Sequence, residues 1–126
     1  MKHIVATKKA PAAVGPYNQA IVAGDFVFCS GQIPIDPETG AMVNGGFAEQ
    51  TEQVLKNVSA VLSAENLTLL NVVKATVFAT DMAAFPVVNE VYARFFASEP
   101  PARSFGQVGA LPKGALVEIE VIAYKG

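Results

Sequence analysis

The residue types that carry out most enzyme chemistry are scarce in this chain. It has one cysteine, Cys29, one histidine, His3, and no tryptophan among 126 residues. A single cysteine cannot form a disulfide within the chain, so we expect a reducing, cytoplasmic location and a buried, inert thiol. Without a histidine or cysteine cluster there is no zinc ligand set, and we predict no metal. A Ser–His–Asp triad would need His3, at the end of the chain.

Charged residues are also few, at 16%, and the formal net charge is −2. The nine lysines and arginines form no basic stripe, which argues against nucleic acid as a partner. No apolar run approaches the length of a membrane span, and the N-terminus lacks a signal-peptide core, so we expect no membrane partner. The length fits one domain, residues 1–126. Hydrophobic residues make up 52%, so we expect apolar surface to be buried between copies.

Hydrophobic periodicity predicts about six strands and two helices. Apolar residues spaced three and four apart indicate helices at about 46–66 and 84–97. The strand candidates are 3–7, 17–23, 26–30, 71–80, 100–108 and 116–122. Gly24-Asp25 is typical of a hairpin turn. The order ββ(β)–α–β–α–ββ predicts an α+β fold with both helices on one face of a sheet, and other copies covering the opposite face.

The last quarter of the chain holds the candidate chemistry. The runs 100–108 and 116–122 lie on either side of a glycine- and proline-containing loop. Side chains alternate across a strand, so Glu118 and Glu120 share one face. If the two runs form a hairpin, Arg103 is the cation that would pair with them. A guanidinium can also hold a small carboxylate through two parallel hydrogen bonds, which would give an acid-binding site beside a glutamate that moves protons.

Both Arg103 and Gly31 have a structural interpretation as well as a functional one. From spacing alone, an arginine and a glutamate on neighbouring strands are more often a structural ion pair than an active site. Gly31 directly follows a strand, where a ligand could approach the bare backbone. A bulge or bend at Gly31 is at least as common an explanation.

Several separated blocks of the chain, in order, resemble the Rid (YjgF-like) family, and most closely its reactive intermediate deaminase A (RidA) branch. The blocks are Gly15-Pro16-Tyr17, Ser30-Gly31-Gln32-Ile33-Pro34, Pro101-Ala102-Arg103-Ser104, Leu111-Pro112 and Val117-Glu118-Ile119-Glu120. The resemblance implies a chorismate-mutase-like fold of the bacillus type, assembled as a homotrimer with clefts between neighbouring subunits.

The same resemblance implies an enzyme that needs no cofactor, a 2-iminobutanoate/2-iminopropanoate deaminase. Such an enzyme hydrolyses reactive enamines and imines, such as 2-aminoacrylate and 2-aminocrotonate, to 2-keto acids and ammonia. Pyridoxal-phosphate enzymes such as serine and threonine dehydratases release these compounds. The resemblance therefore implies imino and keto acids as ligands, and a role in metabolite damage control linked to those enzymes.

Matched position by position, Arg103 resembles the residue that holds the substrate carboxylate. Glu118 resembles the acid/base that activates or positions water, and Glu120 resembles a structural residue. The remaining candidates would form the cleft wall and bind substrate: Tyr17, Ser30, Gly31 and Asn89.

Phe105 departs from the RidA branch, which commonly has cysteine two residues after the arginine. The ring removes any role for a thiol there, keeps a role for the backbone, and would narrow the pocket or favour apolar substrate tails. Two other functions stay open. One is non-catalytic binding of 2-keto or 2-imino acids through Arg103. The other is RNA cleavage or translation inhibition, against which the acidic pI of about 5.3 argues.

Overall fold

The computed structural model describes all 126 residues. They form one sheet with one layer of helices packed on it. The two α-helices are α1 (Phe47–Ser63) and α2 (Phe85–Phe95). The six strands are β1 (His3–Val5), β2 (Ala20–Ala23), β3 (Phe26–Gln32), β4 (Val72–Ala79), β5 (Ala102–Gln107) and β6 (Val117–Tyr124). The number and order of elements confirm the α+β prediction. No helix is both long and apolar enough to cross a membrane.

The strand order in the sheet is β1-β2-β3-β6-β4-β5, with β4 and β5 parallel and the other pairs antiparallel. The Gly24-Asp25 hairpin is confirmed, because Ala23 pairs with Phe26 and Gly24 has φ of +59°. The predicted hairpin between the last two strands is wrong. Helix α2 connects β4 to β5 as a crossover, which places β5 parallel on the far side of β4. Strand β6 instead lies between β3 and β4.

Helix α1 forms because its apolar stripe faces the sheet and its first turn is capped. The Glu49 side chain accepts a hydrogen bond from the Gly46 backbone N–H at 2.8 Å, next to the positive end of the helix dipole. Five residues of the stripe are fully buried: Val54, Leu55, Val58, Val61 and Leu62. The helix ends three residues before the predicted bound, in a turn where Asn66 adopts φ of +60°.

Three buried amides fix the loops that later form the site. Gln19 holds the N-terminal segment, because its side chain donates to the carbonyls of three residues and accepts from the N–H of Thr7. Asn57 on α1 donates to the carbonyls of Ile33 and Ile35 in the loop after β3. Gln50 on α1 accepts from the N–H of Leu116, just before β6. Helix α1 is therefore more than the packing element that its stripe predicts.

The two faces of the sheet differ in burial. On β6, the residues at odd positions from Val117 to Ala123 are buried beneath the helices, while Glu118, Glu120, Ile122 and Tyr124 face the other way. That open face carries the exposed rings of Phe26, Phe28 and Tyr124. The rings of Phe26 and Tyr124 lie 5.3 Å apart. A single chain thus leaves apolar surface exposed on the face that the sequence predicts other copies to cover.

Candidate active site

Four of the predicted site residues line one cavity of about 480 Å³, which we call the Glu118 cavity. Its lining is Val14, Tyr17, Ser30, Gly31, Ile33, Pro112, Lys113, Glu118 and Glu120. These residues come from three separate segments, before β3, at the end of β3, and around the start of β6. The structure therefore brings Tyr17, Ser30, Gly31 and Glu118 together as the resemblance implies.

Gly31 lies where the Glu118 side chain crosses strand β3. The register of β3 against β6 shifts between Cys29 and Gln32, so Gly31 sits in a β-bulge, as the structural interpretation predicts. A Cβ atom at Gly31 would lie 2.5 Å from Oε2 of Glu118 and 2.8 Å from its Cδ. Such distances are shorter than any normal contact. The group that closely approaches the bare backbone of Gly31 is thus the carboxyl group of Glu118. A ligand could approach the same backbone as well.

The hydroxyl groups in the Glu118 cavity are unequally available. Ser30 Oγ donates to the Asn18 carbonyl at 2.6 Å, and the Ser30 N–H donates to the Gln19 carbonyl at 2.9 Å, so this hydroxyl proton is already used. The Tyr17 hydroxyl accepts from the Val14 N–H at 3.3 Å and keeps its own proton free. Tyr17 is 47% exposed. Tyr17 can therefore donate a hydrogen bond to a ligand, while Ser30 mainly shapes the wall.

Glu118 is the candidate proton-transfer group of the cavity. Burial, and secondarily the negative charge of Glu120, raise the pKa of the Glu118 carboxyl above its ordinary value. Neither glutamate forms an ion pair within the chain. A carboxylate with a raised pKa is a stronger base than an ordinary surface glutamate. Glu120 is exposed and acts on Glu118 through its charge.

Arg103 lies on the opposite face of the sheet from Glu118. It pairs with Ala75 on β4, and Ala75 pairs with Val121 on β6. Residues paired across strands point to the same face, and Val121 is buried beneath the helices, so Arg103 faces helix α2. The Arg103–Glu118 or Arg103–Glu120 pair that a hairpin would give is therefore absent within one chain. The interposed strand β4 and the opposite orientation of the side chains are the reasons.

The Arg103 guanidinium lies against three aromatic rings. Its Cζ is 4.7 Å from the ring centroid of Tyr92, 5.3 Å from that of Phe105 and 5.7 Å from that of Phe85. These are cation–π distances. No carboxylate of the chain pairs with Arg103. An arginine held by rings and free of a counter-ion can offer its N–H groups to a ligand carboxylate.

Helix α2 contributes two buried polar atoms on the helix face that meets this arginine. Phe85, Asn89 and Tyr92 are spaced four and three residues apart, and so lie on one face of α2. The Oδ1 atom of Asn89 and the hydroxyl of Tyr92 are buried and have no hydrogen-bond partner. Burial raises the pKa of Tyr92, and the charge of Arg103 partly offsets this. We call Phe85, Asn89, Tyr92, Arg103 and Phe105 the Arg103 cluster. Neither of its two buried polar atoms has a hydrogen-bond partner within the chain.

The predicted site residues thus fall into two groups that one chain does not bring together. Arg103, Asn89 and Phe105 are in the Arg103 cluster, and the others line the Glu118 cavity. The sequence did not single out Phe85 and Tyr92 for the site, because both belong to the apolar stripe of α2. Two features of the sequence could have pointed to them. Phe85 and Tyr92 are seven residues apart, which places them on one helix face, and Arg103 follows the helix.

Neither the one cysteine nor a cluster of metal ligands offers a second candidate site. Cys29 is buried, and burial raises the pKa of its thiol to about 12, so it is inert as predicted. No three histidine, cysteine, aspartate or glutamate side chains are grouped as metal ligands would be.

Known proteins resemble this chain along its whole length. Residues 7–125 match the family model described as Endoribonuclease L-PSP. A RutC family protein of Pyrococcus horikoshii is 51% identical over 99% of each chain. The human 2-iminobutanoate/2-iminopropanoate deaminase is 45% identical over 100% of this chain and 92% of its own. The crystal structure of Escherichia coli TdcF with bound serine has a TM-score of 0.94 at 42% identity, covering 98% of this chain and 99% of TdcF.

The fold and the two groups of residues define a class of small α+β proteins with an unpaired arginine on one sheet face and a glutamate of raised pKa on the other. With a family model that spans nearly the whole sequence, the assignment within that class is direct. The chain belongs to the Endoribonuclease L-PSP family, which is also the YjgF/Rid family.

Proposed function

We propose that this protein is a 2-iminobutanoate/2-iminopropanoate deaminase that converts reactive imines and enamines to 2-keto acids and ammonia. The observation that carries the proposal is the state of Arg103, a guanidinium fixed on three rings with no carboxylate partner. Such a group is suited to a ligand with one carboxylate, and 2-imino acids have one. Relatives that carry the deaminase name, including the human protein, support the choice of reaction.

We infer that the complete site lies between two copies of the chain. The Glu118 cavity of one copy would face the Arg103 cluster of the next, and a homotrimer would close three such clefts. Two features of the single chain support this arrangement. Its open sheet face exposes Phe26, Phe28 and Tyr124, and the Arg103 cluster contains the unpaired Asn89 Oδ1 and Tyr92 hydroxyl. A neighbouring copy and a bound ligand would together cover the rings and satisfy the polar atoms.

In the proposed reaction Arg103 holds the ligand carboxylate through two hydrogen bonds and so fixes the imine carbon. An enamine first takes a proton from solvent on the carbon next to the one that carries nitrogen, and so becomes the iminium ion. Glu118 accepts a proton from water as the water oxygen bonds to the iminium carbon, which gives a neutral carbinolamine. Glu118 then returns the proton to nitrogen, the C–N bond breaks, and the remaining hydroxyl loses its proton to ammonia as the ketone forms.

The protein needs only to position the ligand and a water molecule and to transfer protons, because the iminium carbon is already electrophilic. General acid–base catalysis of this kind contributes roughly 10²–10⁴-fold. Tyr17 and the unpaired Asn89 Oδ1 would help orient the ligand. We propose that the enzyme needs no cofactor and acts in the cytoplasm on compounds released by pyridoxal-phosphate enzymes.

A coupled assay tests the proposal. A serine dehydratase generates 2-aminoacrylate, and pyruvate formation is followed with and without this protein. We expect acceleration by the wild type and none by Arg103→Ala. Arg94→Ala is the matched control, because Arg94 is an exposed arginine in the last turn of α2 and should keep full activity.

Two results would contradict the proposal. If Arg103→Ala remains an intact assembly with wild-type activity, Arg103 does not hold the carboxylate. If the folded wild type binds pyruvate but accelerates no imine hydrolysis, the protein is a keto-acid binder. RNA cleavage, which the family description suggests, is tested on the same preparation by comparing degradation by wild type and Glu118→Gln.

A further inference from the structure

The Arg103 cluster contains an aromatic pair that carboxylate binding does not need. The rings of Phe85 and Phe105 meet edge to face, with centroids 4.8 Å apart and an interplanar angle of 67°. Phe85 lies at the start of α2 and Phe105 on β5, so two different elements hold the pair in place. Phe85 remains 36% exposed and Phe105 is half-buried. The pair therefore presents fixed apolar surface directly beside the guanidinium.

Packing of the protein itself does not account for this exposure. Tyr92, the other aromatic residue that α2 places against Arg103, is only 6% exposed. Phe85 belongs to the same stripe but leans out of the core toward Phe105 and Arg103. Edge-to-face packing makes the pair rigid, so its surface is available without a further loss of side-chain freedom on binding.

We propose that the Phe85–Phe105 pair is the side-chain subsite of the enzyme and selects 2-imino acids with large apolar side chains over the three- and four-carbon compounds. This inference rests on the proposed function. A ligand whose carboxylate is held by Arg103 has its side chain attached one carbon away, within reach of rings that lie 5.3 and 5.7 Å from Cζ of Arg103. The branched aliphatic and aromatic imino acids are the class that such a surface fits.

The size of the preference follows from burial of apolar surface. Each methylene group that moves from water onto the rings contributes about fourfold to kcat/KM. A leucine-derived imine has three more carbons than the alanine-derived one. Even if the rings cover only two of these, the preference reaches about tenfold or more. Polar side chains would gain nothing, because neither ring has a hydrogen-bonding group.

The test measures kcat/KM for imines made in place by an amino-acid oxidase with catalase present. Semicarbazide competes for the imine, so a decrease in semicarbazone absorbance reports enzymatic hydrolysis. The series runs from alanine and 2-aminobutyrate to leucine, methionine and phenylalanine. The variants are Phe105→Ala and Phe85→Ala, with Phe105→Leu as a milder change that keeps an apolar side chain if the alanine variant fails to fold.

We expect the wild type to favour the leucine-derived over the alanine-derived imine by about tenfold. The ratio should fall toward one in Phe105→Ala and take an intermediate value in Phe105→Leu. A wild type that prefers the alanine-derived imine, or a ratio that both Phe105 variants leave unchanged, would overturn the inference.

Binding separates this inference from the proposed function. If no imine is hydrolysed, the deaminase proposal fails, and calorimetric titration with pyruvate and 4-methyl-2-oxopentanoate tests the subsite without turnover. Tighter binding of the branched acid that is lost in Phe105→Ala still supports the subsite. Equal affinities for the two acids would overturn it even in a protein that binds both.

Discussion

The carboxyl group of Glu118 lies directly over the backbone of Gly31, so a side chain at position 31 would displace it. The Cβ of any other residue would lie 2.5 Å from Oε2. The bulge in β3 and the absence of a side chain at its centre therefore fix where the proposed base can be. Both residues lie in the blocks that resemble the RidA branch, and we propose that the glycine is part of the catalytic geometry.

Replacing Gly31 by alanine should displace Glu118 and lower kcat/KM by about 100-fold, the usual cost of moving a catalytic group by about 1 Å. The backbone at Gly31 has no positive φ, so the fold should survive. Gly109→Ala is the matched control, since no atom lies within 4 Å of a Cβ built there. Steady-state kinetics and thermal unfolding of both variants give the answer. Wild-type kinetics in a folded Gly31→Ala would separate this contact from catalysis.

The pH dependence of the reaction should report the raised pKa of Glu118. If Glu118 acts as the base, kcat/KM is highest with the carboxyl ionised and falls as the pH drops through a pKa above 4.5. Because the charge of Glu120 contributes to that rise, Glu120→Gln should move this acid limb to lower pH. Glu38→Gln, at an exposed glutamate in a loop, should leave it in place.

Glu118→Gln extends the same test to binding and stability. It should bind keto acid and turn over imine slowly, and its rate should lose the acid limb. A carboxyl group whose pKa is higher in the folded than in the unfolded chain lowers the free energy of unfolding. This loss begins once the pH exceeds the pKa of the group in the unfolded chain. At neutral pH Glu118→Gln should therefore unfold at no lower temperature than the wild type. A variant that turns over at the wild-type rate would remove Glu118 from the mechanism.

Tyr92 provides the ring closest to the guanidinium, at 4.7 Å, and should position Arg103 rather than react. Tyr92→Leu removes the ring, and loss of a cation–π contact should raise KM about two- to thirtyfold while changing kcat less. Tyr92→Phe keeps the ring and should restore KM. Kinetics on both variants check this expectation. A Tyr92→Phe variant as weak as Tyr92→Leu would mean that the hydroxyl, and not the ring face, serves the ligand.

The sequence predicts the helices and strands of this fold better than it predicts which strands are neighbours in the sheet. Periodicity identifies α1, α2 and all six strands, because each buries one face and exposes the other. It does not reveal that α2 carries the chain across to a parallel β5, which leaves the centre of the sheet to β6. The hairpin interpretation of Arg103 and Glu118 failed for that reason.

The same holds for the candidate site, where sequence patterns predict residues but not where the fold places them. Motif resemblance predicts Tyr17, Ser30, Gly31 and Glu118, and one cavity brings them together. Phe85 belongs to the apolar stripe of α2, and helical spacing does not distinguish a ring beneath the sheet from a ring at its edge. The unpaired hydroxyl of Tyr92 is likewise a property of the packed structure alone.

Mixed assemblies offer the sharpest test of a site shared between copies. Arg103→Ala should be inactive and Glu118→Gln should turn over only slowly, because every cleft lacks one of the two groups. In a homotrimer reassembled from equal amounts of both variants, a cleft regains Glu118 from one copy and Arg103 from the next. Random assembly restores about a quarter of the clefts, and hence about a quarter of the wild-type activity.

Two controls support the reading of that experiment. Each variant reassembled alone should keep its own low activity. A mixture of Arg103→Ala with the double variant Arg103→Ala/Glu118→Gln should stay inactive, because no copy supplies an arginine. A site contained within one chain predicts no recovery in any mixture. On the sheet described above, Arg103 and Glu118 of one chain point to opposite faces, so recovery is the expected result.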